Sequence, residues 1–293
     1  MDKKEVLDIA SKQIYEMRNR TIDILQLNKP PSLMQAKELV KITSKLSPMF
    51  GNMIECMVVE RLNEIDWEGI GEWVRQDPGF PDTLFVSDAF ETLPGVEIKT
   101  WYPFSTEITA RFKESQSMFR KDNTLIALVS WIPEHIIYGR AIITNVWIGT
   151  ASSIARSRDG HYHNPPDYLV MEPEDTSGRT SNLIQTNTNG YKFQGNDGEL
   201  IKARELMNNL IIEEEYSVER AYQEKISVLR GEFKYRMDTN YAKIDRIQHE
   251  GIESFKESVL SQMYMGRTIS EWKKILSGES ETHDIALAEI LNL

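Results

Sequence analysis

Three polar residues have types and a spacing that suit metal-assisted chemistry on a phosphate. Asp82 is followed, after fourteen intervening residues, by Glu97, and Lys99 lies two residues further on. Apolar and polar residues alternate over 96–101, which predicts a β-strand. Because residues i and i+2 of a strand point to the same side, Glu97 and Lys99 should share one face. A predicted turn at residues 93–95 would bring Asp82 back towards them.

Two carboxylates that approach each other repel unless a divalent cation neutralises them. The predicted cation is Mg²⁺, a hard ion that prefers carboxylate, water and phosphate oxygens. Such an ion polarises a phosphate and lowers the pKa of a bound water, while Lys99 would orient that water and offset developing charge. The alternative is an exposed hairpin with a cross-strand ion pair, worth about 0.2–1 kcal/mol.

The motif Pro81-Asp82, with Glu97-Ile98-Lys99 downstream, resembles that of the PD-(D/E)xK nuclease superfamily, which includes many type II restriction endonucleases. The likeness covers residues 51–100 and the order of elements to about residue 150. It implies Mg²⁺-dependent hydrolysis of double-stranded DNA to 5′-phosphate and 3′-hydroxyl ends. It also implies catalytic roles for Asp82, Glu97 and Lys99, with Asp82, Glu97 and the Ile98 backbone carbonyl as metal ligands.

The second half of that motif is weak by itself. Three other triplets match it, but no Pro-Asp precedes them and they lie in predicted helical or terminal segments. They are Asp2-Lys3-Lys4, Glu232-Phe233-Lys234 and Glu271-Trp272-Lys273.

A helix is predicted from about Gly51 to Ile65, and the resemblance gives its glutamate a role. Many members of the superfamily carry a glutamate on a helix beside the site. Glu55 borders the apolar stripe of this helix, whereas Glu60 lies on the far side. Glu55 is therefore predicted to join the catalytic residues, as ligand of a second metal ion or as support for the first. Alternatively, it is a solvated acid favoured by the helix dipole.

Residues 150–196 are rich in Ser, Asn, Thr, Gly and Pro and are predicted to form loops that read DNA. Arginine recognises guanine bidentately, and asparagine and glutamine recognise adenine. Arg158 is expected to project from a turn. The alternative is ordinary turn chemistry, because Asn189-Gly190 is first a hairpin signal. The predicted base-contacting residues are Arg156, Arg158, Asn164, Arg179, Asn182 and Gln185.

Phosphate contacts are predicted on a helix spanning Thr106–Arg120, which would follow the catalytic strand. Arg111 and Lys113 are the candidates, with solvated helix charges as the alternative. A zinc site at His161 and His163 is disfavoured, because no third ligand stands at a suitable spacing.

Composition restricts the function classes. The net charge of −11 argues against a nucleic-acid partner, but residues 99–194 are nearly balanced in charge. No apolar run approaches the roughly 18 residues of a membrane span. Cys56 is the single cysteine, which favours a reducing compartment, and the cytoplasm is the expected location. The resemblance to restriction enzymes implies a bacterial or archaeal cell. Nucleotide-binding and esterase motifs are missing, so no NTP is expected.

The predicted fold class is α/β (α+β), with a mixed central sheet flanked by helices and a restriction-endonuclease-like core. Residues 1–47 are predicted to be helical, with strands at 83–87, 96–101, 125–132 and 141–148. Two regions are expected. Residues 1–196 would form the nuclease core with its DNA-reading loops, and residues 197–293 a helical region for dimerisation or DNA clamping.

The predicted function is that of a sequence-specific DNA endonuclease. A palindromic target would imply a homodimer, with the 199–247 helices or the N-terminal helices at its interface. Two alternatives stay open. One is a repair or structure-selective nuclease of the same superfamily, and the other is a non-enzymatic DNA-binding or interaction protein on an inactive nuclease core.

Overall fold

The computed structural model describes residues 1–77, 79–105, 107–112, 123–162, 171–173, 197–210, 220–221, 224–225, 228, 232, 235–237, 243–278 and 281–292. The helices are α1 (Lys3–Tyr15), α2 (Leu33–Thr43), α3 (Ser47–Asn63), α4 (Ala151–Tyr162), α5 (Asp197–Leu210), α6 (Glu250–Leu260), α7 (Ile269–Ser277) and α8 (Glu281–Leu291). The strands are β1 (Thr21–Leu27), β2 (Glu72–Arg75), β3 (Thr83–Val86), β4 (Gly95–Trp101), β5 (Thr124–Pro133), β6 (Gly139–Thr150), β7 (Met171–Pro173), β8 (Tyr235–Met237), β9 (Met263–Tyr264) and β10 (Arg267–Thr268).

A six-stranded sheet has the order β1-β6-β5-β4-β3-β2. Strands β4 and β5 are parallel, and every other neighbouring pair is antiparallel. The prediction of a mixed sheet flanked by helices is therefore confirmed. All four predicted strands coincide with strands of this sheet, and the long apolar run within 125–132 is buried along most of β5. A strand covered on both faces reads as an unbroken apolar run.

One face of the sheet packs on α1 and α3. Their apolar stripes meet strand side chains that include Val96 and Ile98 of β4. The other face of β4 carries Trp101, whose ring lies 5.9 Å from that of Phe255 on α6. Alternation along β4 thus places Glu97 and Lys99 on the Trp101 side, opposite Ile98.

A smaller core lies where α2, α7 and α8 pack around Trp272. It includes Ala36 of α2 and Leu287 of α8, together with the turn residues Ile136 and Ile137. Helix α7 begins with a capping box, in which Thr268 and Glu271 satisfy each other's backbone amides. Helices α7 and α8 are therefore held to α2 and to the turn between β5 and β6 by a shared apolar core.

The prediction of helices throughout residues 1–47 is wrong for Thr21–Leu27, which form β1. This strand pairs antiparallel with β6, and within β1 only Ile22 is fully buried. Pairing with a neighbour along the sheet decides its conformation, and a one-residue apolar contact leaves little periodicity to read. Strand β2 was also unpredicted, because its four residues are too short to show alternation.

Two compact units divide the chain. One comprises Met1–Ala110, Lys121–Ala151 and Glu250–Leu293, and the other comprises Arg111–Arg120 and Ser152–His249. This division does not coincide with the predicted boundary between residues 196 and 197. Within the second unit, β7 pairs antiparallel with β8.

Two further local predictions need correction. Residues 151–162 were expected in a loop but form α4, and residues 107–112, expected at the start of a helix, are not helical. Arg111 instead forms an isolated antiparallel bridge with Lys243. Thr106 and residues 113–120 of the predicted helix lie outside the described residues.

Within the described ranges, no helix combines the length and apolar character needed to cross a bilayer.

Candidate active site

The candidate site lies where β3 and β4 separate. The two strands pair only through Thr83 with Val96 and through Leu84 with Gly95. At Asp82, one residue before the paired segment of β3, hydrogen bonds to side-chain carboxylates replace the backbone-to-backbone bonds between the strands. The Ile98 amide donates to Asp82 Oδ2 at 2.6 Å, and the Asp82 amide donates to Glu97 Oε2 at 3.1 Å. The two carboxylates thus satisfy the amides that the separating strands leave unpaired.

Lys99 brings the predicted trio together. Its Nζ contacts Glu97 Oε1 and lies 3.7 Å from Asp82 Oδ2. Glu97 and Lys99 share a face because they are two residues apart on β4, as the sequence predicted. Asp82 reaches the same point from the beginning of β3, across the separation of the strands.

Burial dominates the electrostatics of Glu97, which is 6% exposed. Desolvation raises the pKa of Glu97 to about 7, the charge of Lys99 opposes that rise, and the charge of Asp82 adds to it. For Lys99, desolvation alone would lower the pKa, but the charges of Glu97 and Asp82 outweigh it and raise the pKa. The ammonium therefore stays charged, and Glu97 exchanges its proton near neutral pH.

Glu55, on α3, interacts electrostatically with Asp82 and Lys99. Desolvation raises the pKa of Glu55, as does the charge of Asp82, whereas Arg75 and Lys99 oppose the rise. Arg75, the last residue of β2, donates from Nη2 to Glu55 Oε2 at 2.8 Å. Glu55 is thus partly buried and paired, which does not fit the alternative of a freely solvated acid. Glu60 is exposed, as expected from the helical wheel.

Asp82 is held in place by Gln76, which follows β2, and by the close approach of Gly95 on β4. The Gln76 amide donates to the Asp82 carbonyl at 2.8 Å, and Gln76 Nε2 donates to the Pro81 carbonyl at 2.8 Å. Gly95 permits a close approach of the chain, because a Cβ there would overlap Pro81 Cγ. The Pro-Asp dipeptide is therefore positioned through its backbone, and the Asp82 side chain is left to the site.

Helix α3 is joined to the edge strand β2 by side chains. Asn63 donates from Nδ2 to the Trp73 carbonyl at 2.8 Å and accepts from the Trp73 amide at 2.9 Å. At the other end of α3, Gly51 lies so close to β4 that an added Cβ would stand 3.1 Å from Thr100 Oγ1. These contacts fix α3, and with it Glu55, beside β2 and β4.

Sequence reasoning missed Arg75, Gln76 and Asn63, which contact Glu55, the Pro81-Asp82 backbone and the Trp73 backbone, respectively. They belong to no motif, and their role depends on β2, whose four residues gave no periodic signal. Only the Asp77-Pro78-Gly79 turn signal beside them marked the region.

The competing triplets have structural roles instead. Asp2 caps α1, where its side chain accepts from the Glu5 amide at 2.8 Å. Glu271 accepts from the Thr268 amide at 2.7 Å and completes the capping box of α7. Of the third triplet, only Glu232 lies within the described residues. The Glu97 triplet is therefore distinguished by lying on a sheet strand beside a second carboxylate.

The predicted DNA-contacting residues are distributed differently. Arg156 is exposed on α4. Arg158 is only 2% exposed, with Nη1 donating to the Phe112 carbonyl at 2.7 Å, so the expected projecting turn is wrong. Residues two apart on a helix point in different directions, so Arg156 is exposed while Arg158 turns inward. Both had been expected on a loop. Arg111 is exposed beside its bridge to Lys243. Lying outside the described residues are Lys113, Asn164, Arg179, Asn182 and Gln185.

The carboxylate oxygens at the site suit a hard cation that needs only one or two protein ligands. Among the residues that the structure describes, no three acidic, histidine or cysteine side chains converge as a metal-binding group. Asp82 and Glu97 nevertheless place two carboxylates together, one of them buried. Mg²⁺ is commonly held by one or two carboxylates, with waters and substrate phosphates completing its shell. The residues present therefore fit this cation.

Comparison with known protein families, with curated proteins and with solved structures gives no match to this chain. The interpretation of the site consequently depends on its residues and their geometry.

Proposed function

We propose that the chain is a Mg²⁺-dependent, sequence-specific endonuclease of the PD-(D/E)xK type that cleaves double-stranded DNA. The observation that carries the proposal is the convergence of Asp82, Glu97 and Lys99 where β3 and β4 separate. An ordinary surface ion pair is exposed to solvent, whereas here a buried carboxylate shares one ammonium with a second carboxylate. Burial of charged groups at such a cost is typical of functional sites.

The proposed roles follow from the chemistry of each group. Asp82 and Glu97 would hold the metal ion, together with the Ile98 backbone carbonyl implied by the family resemblance. When bound, the ion would polarise the scissile phosphate and lower the pKa of its water. Lys99 remains protonated beside the carboxylates and would donate to the attacking water or to a phosphate oxygen. The products would carry 5′-phosphate and 3′-hydroxyl ends.

The order of elements supports the same proposal. Helix α3 precedes the antiparallel strands β2, β3 and β4, and β5 then pairs in parallel with β4. The site lies on β3 and β4, with a glutamate on the helix beside it. This resembles the arrangement on which the sequence resemblance was based, except that β2 is an addition and residues 107–112, predicted to begin a helix, are not helical.

Sequence specificity and assembly extend the proposal. A palindromic target would be read by a homodimer, with specificity supplied by residues beyond β6. Arg156 is the exposed candidate among the described residues of that region. Both the base contacts and the dimer remain predictions.

The decisive experiment is cleavage of supercoiled plasmid DNA with Mg²⁺ or with EDTA. Discrete, Mg²⁺-dependent bands support the proposal, smearing indicates a nuclease without sequence preference, and no cleavage over a panel of plasmids contradicts an endonuclease. Lys99→Ala should abolish the bands. Lys273→Ala is the matched control, because Lys273 belongs to the competing Glu271 triplet on α7. This variant should cleave DNA like the wild-type protein.

A further inference from the structure

Arg75 makes an unusually complete set of contacts for a residue outside any motif. It ends the edge strand β2 and pairs in register with Thr83, the residue after Asp82. Its Nη2 donates to Glu55 Oε2 at 2.8 Å and to Asn52 Oδ1 at 3.0 Å. Its Nη1 lies 3.0 Å from Asp77 Oδ2. The guanidinium is thereby fixed on three sides.

We infer that Arg75 is a positioning residue for the nuclease reaction, holding the Glu55 carboxylate towards Asp82, Glu97 and Lys99. This inference rests on the proposed function and adds to it a residue that the motif does not contain. Arg75 touches neither Asp82 nor Glu97 in the described contacts, so its effect on the reaction would pass through Glu55.

The geometry allows Glu55 to be held and still to act. Arg75 Nε, at 3.3 Å, and Nη2 both donate to the same oxygen, Oε2. Within the described residues, Glu55 Oε1 accepts no hydrogen bond, so the second oxygen remains for a water or a metal ion. An arginine suits this task because its planar fork is pre-organised and keeps its charge.

Charge balance gives a second reason. The charge of Asp82 acts on both Glu97 and Glu55, and the charge of Lys99 opposes its effect on each of them. Arg75 supplies the second positive charge on the side of α3. Like charges held close in a poorly solvated place are costly unless such a partner is present.

Kinetics separate a positioning role from a merely structural one. Arg75→Ala should lower the single-turnover cleavage rate about 10–100-fold, as is common when a group supporting a metal ligand is removed. Affinity for DNA in Ca²⁺ should stay unchanged, because Arg75 acts on Glu55 and not on the duplex. Arg75→Lys should recover part of the rate. If the alanine variant fails to fold, the lysine variant still carries the test, with an expected loss of about 3–10-fold.

A double-mutant cycle identifies the route of the effect. In a Glu55→Gln background, Arg75→Ala should cost less than about 3-fold more, since residues acting through one another are not additive. Arg61→Ala is the matched control, because Arg61 also pairs with two acids, Glu16 and Glu64, and its side chain is 21% exposed against 26% for Arg75. Equal losses in both backgrounds, or no loss from Arg75→Ala, would overturn the inference.

A readout besides activity is the affinity for Mn²⁺ measured by calorimetry without DNA. Wild type should bind Mn²⁺, and Arg75→Ala should bind it about 10-fold more weakly. If wild type binds Mn²⁺ and cleaves DNA but Arg75→Ala binds and cleaves equally well, the inference fails and the proposed function stands. If wild type neither binds Mn²⁺ nor cleaves DNA, the proposed function fails and the inference falls with it.

Discussion

Lys99 and Arg158 are two poorly exposed cations of this protein, and they are held in opposite ways. Lys99 is partly buried on β4 and faces two carboxylates, Asp82 and Glu97. Arg158 is buried on α4 and donates to a backbone carbonyl, that of Phe112. Lys99 therefore gathers ionisable groups around a point where a ligand could bind, whereas Arg158 satisfies the chain itself. Burial of a positive charge is common to both, and only the nature of its partners separates a candidate catalytic group from a structural one.

The largest effect should follow from Lys99→Ala. Cleavage in Mg²⁺ should fall about 10²–10³-fold, because a positioned charge beside the reacting phosphate is removed. Circular dichroism and the urea unfolding curve should show a folded protein, and single-turnover cleavage measures the loss. A variant that cuts at a near wild-type rate would remove Lys99 from the mechanism. Lys99 would then be a structural cation like Arg158.

Arg158→Ala should act on stability. The variant loses a buried hydrogen bond, leaves the Phe112 carbonyl short of a donor and removes a well-packed side chain, which together cost about 2–3 kcal/mol of unfolding free energy. Urea denaturation measures the difference. Were the variant to keep its stability but lose affinity for the cognate duplex alone, Arg158 would be the base-reading residue first predicted.

Glu97→Gln should stabilise the metal-free protein at alkaline pH. Folding raises the pKa of Glu97 from an ordinary 4.5 to about 7, so the folded state holds more protons than the unfolded state between these values. The free energy of unfolding of the wild type therefore falls as pH rises through that window, and the loss is complete above pH 7. Glutamine does not titrate and avoids it. In EDTA, the variant should be more stable by about 1–3 kcal/mol at pH 8.

At pH 4.5 the two proteins of that pair should differ little, because Glu97 is then protonated in the folded state. Lys99 stays charged at both pH values and does not change the comparison. A difference that is constant with pH would show that Glu97 does not carry the shifted pKa.

The smallest effect is expected from Arg156→Ala, the exposed neighbour of Arg158 on α4. Stability should stay within about 0.5 kcal/mol, because no buried contact is lost. If Arg156 contacts a phosphate, affinity should fall equally on all duplexes and the salt dependence should drop by about one unit. If it contacts a base, the cognate duplex alone should lose about 1–3 kcal/mol. Unchanged affinity for every duplex would make Arg156 a solvated charge.

The part of the site that sequence could predict is the part fixed by local geometry. Glu97 and Lys99 share a face because strand alternation requires it, and the apolar alternation that predicted β4 is itself a local signal. Asp82 followed from its place before a strand that turns back on β4. The buried apolar run of β5 and the apolar stripe of α3 could likewise be predicted from local sequence patterns.

The rest depends on contacts between distant parts of the chain. Strand β1 forms because β6 offers an edge, and Arg158 turns inward because the Phe112 carbonyl requires a donor. Neither partner is near in sequence. The role of Arg75 could not be predicted for the same reason, because its partner Glu55 lies twenty residues upstream on another element. Composition suggested a DNA-reading loop where the described residues form a helix, because turn-forming residue types also occur at helix surfaces.

Asn63 has a consequence beyond the positioning of α3. Strand β2 is one of the two outer edges of the sheet, and an exposed edge offers unpaired amides and carbonyls to any foreign strand. The Asn63 side chain binds both the amide and the carbonyl of Trp73, in the manner of a neighbouring strand one residue long. A second chain adding to this edge would first have to displace it. One side-chain amide thus protects the sheet from aggregation beside the acids of the site.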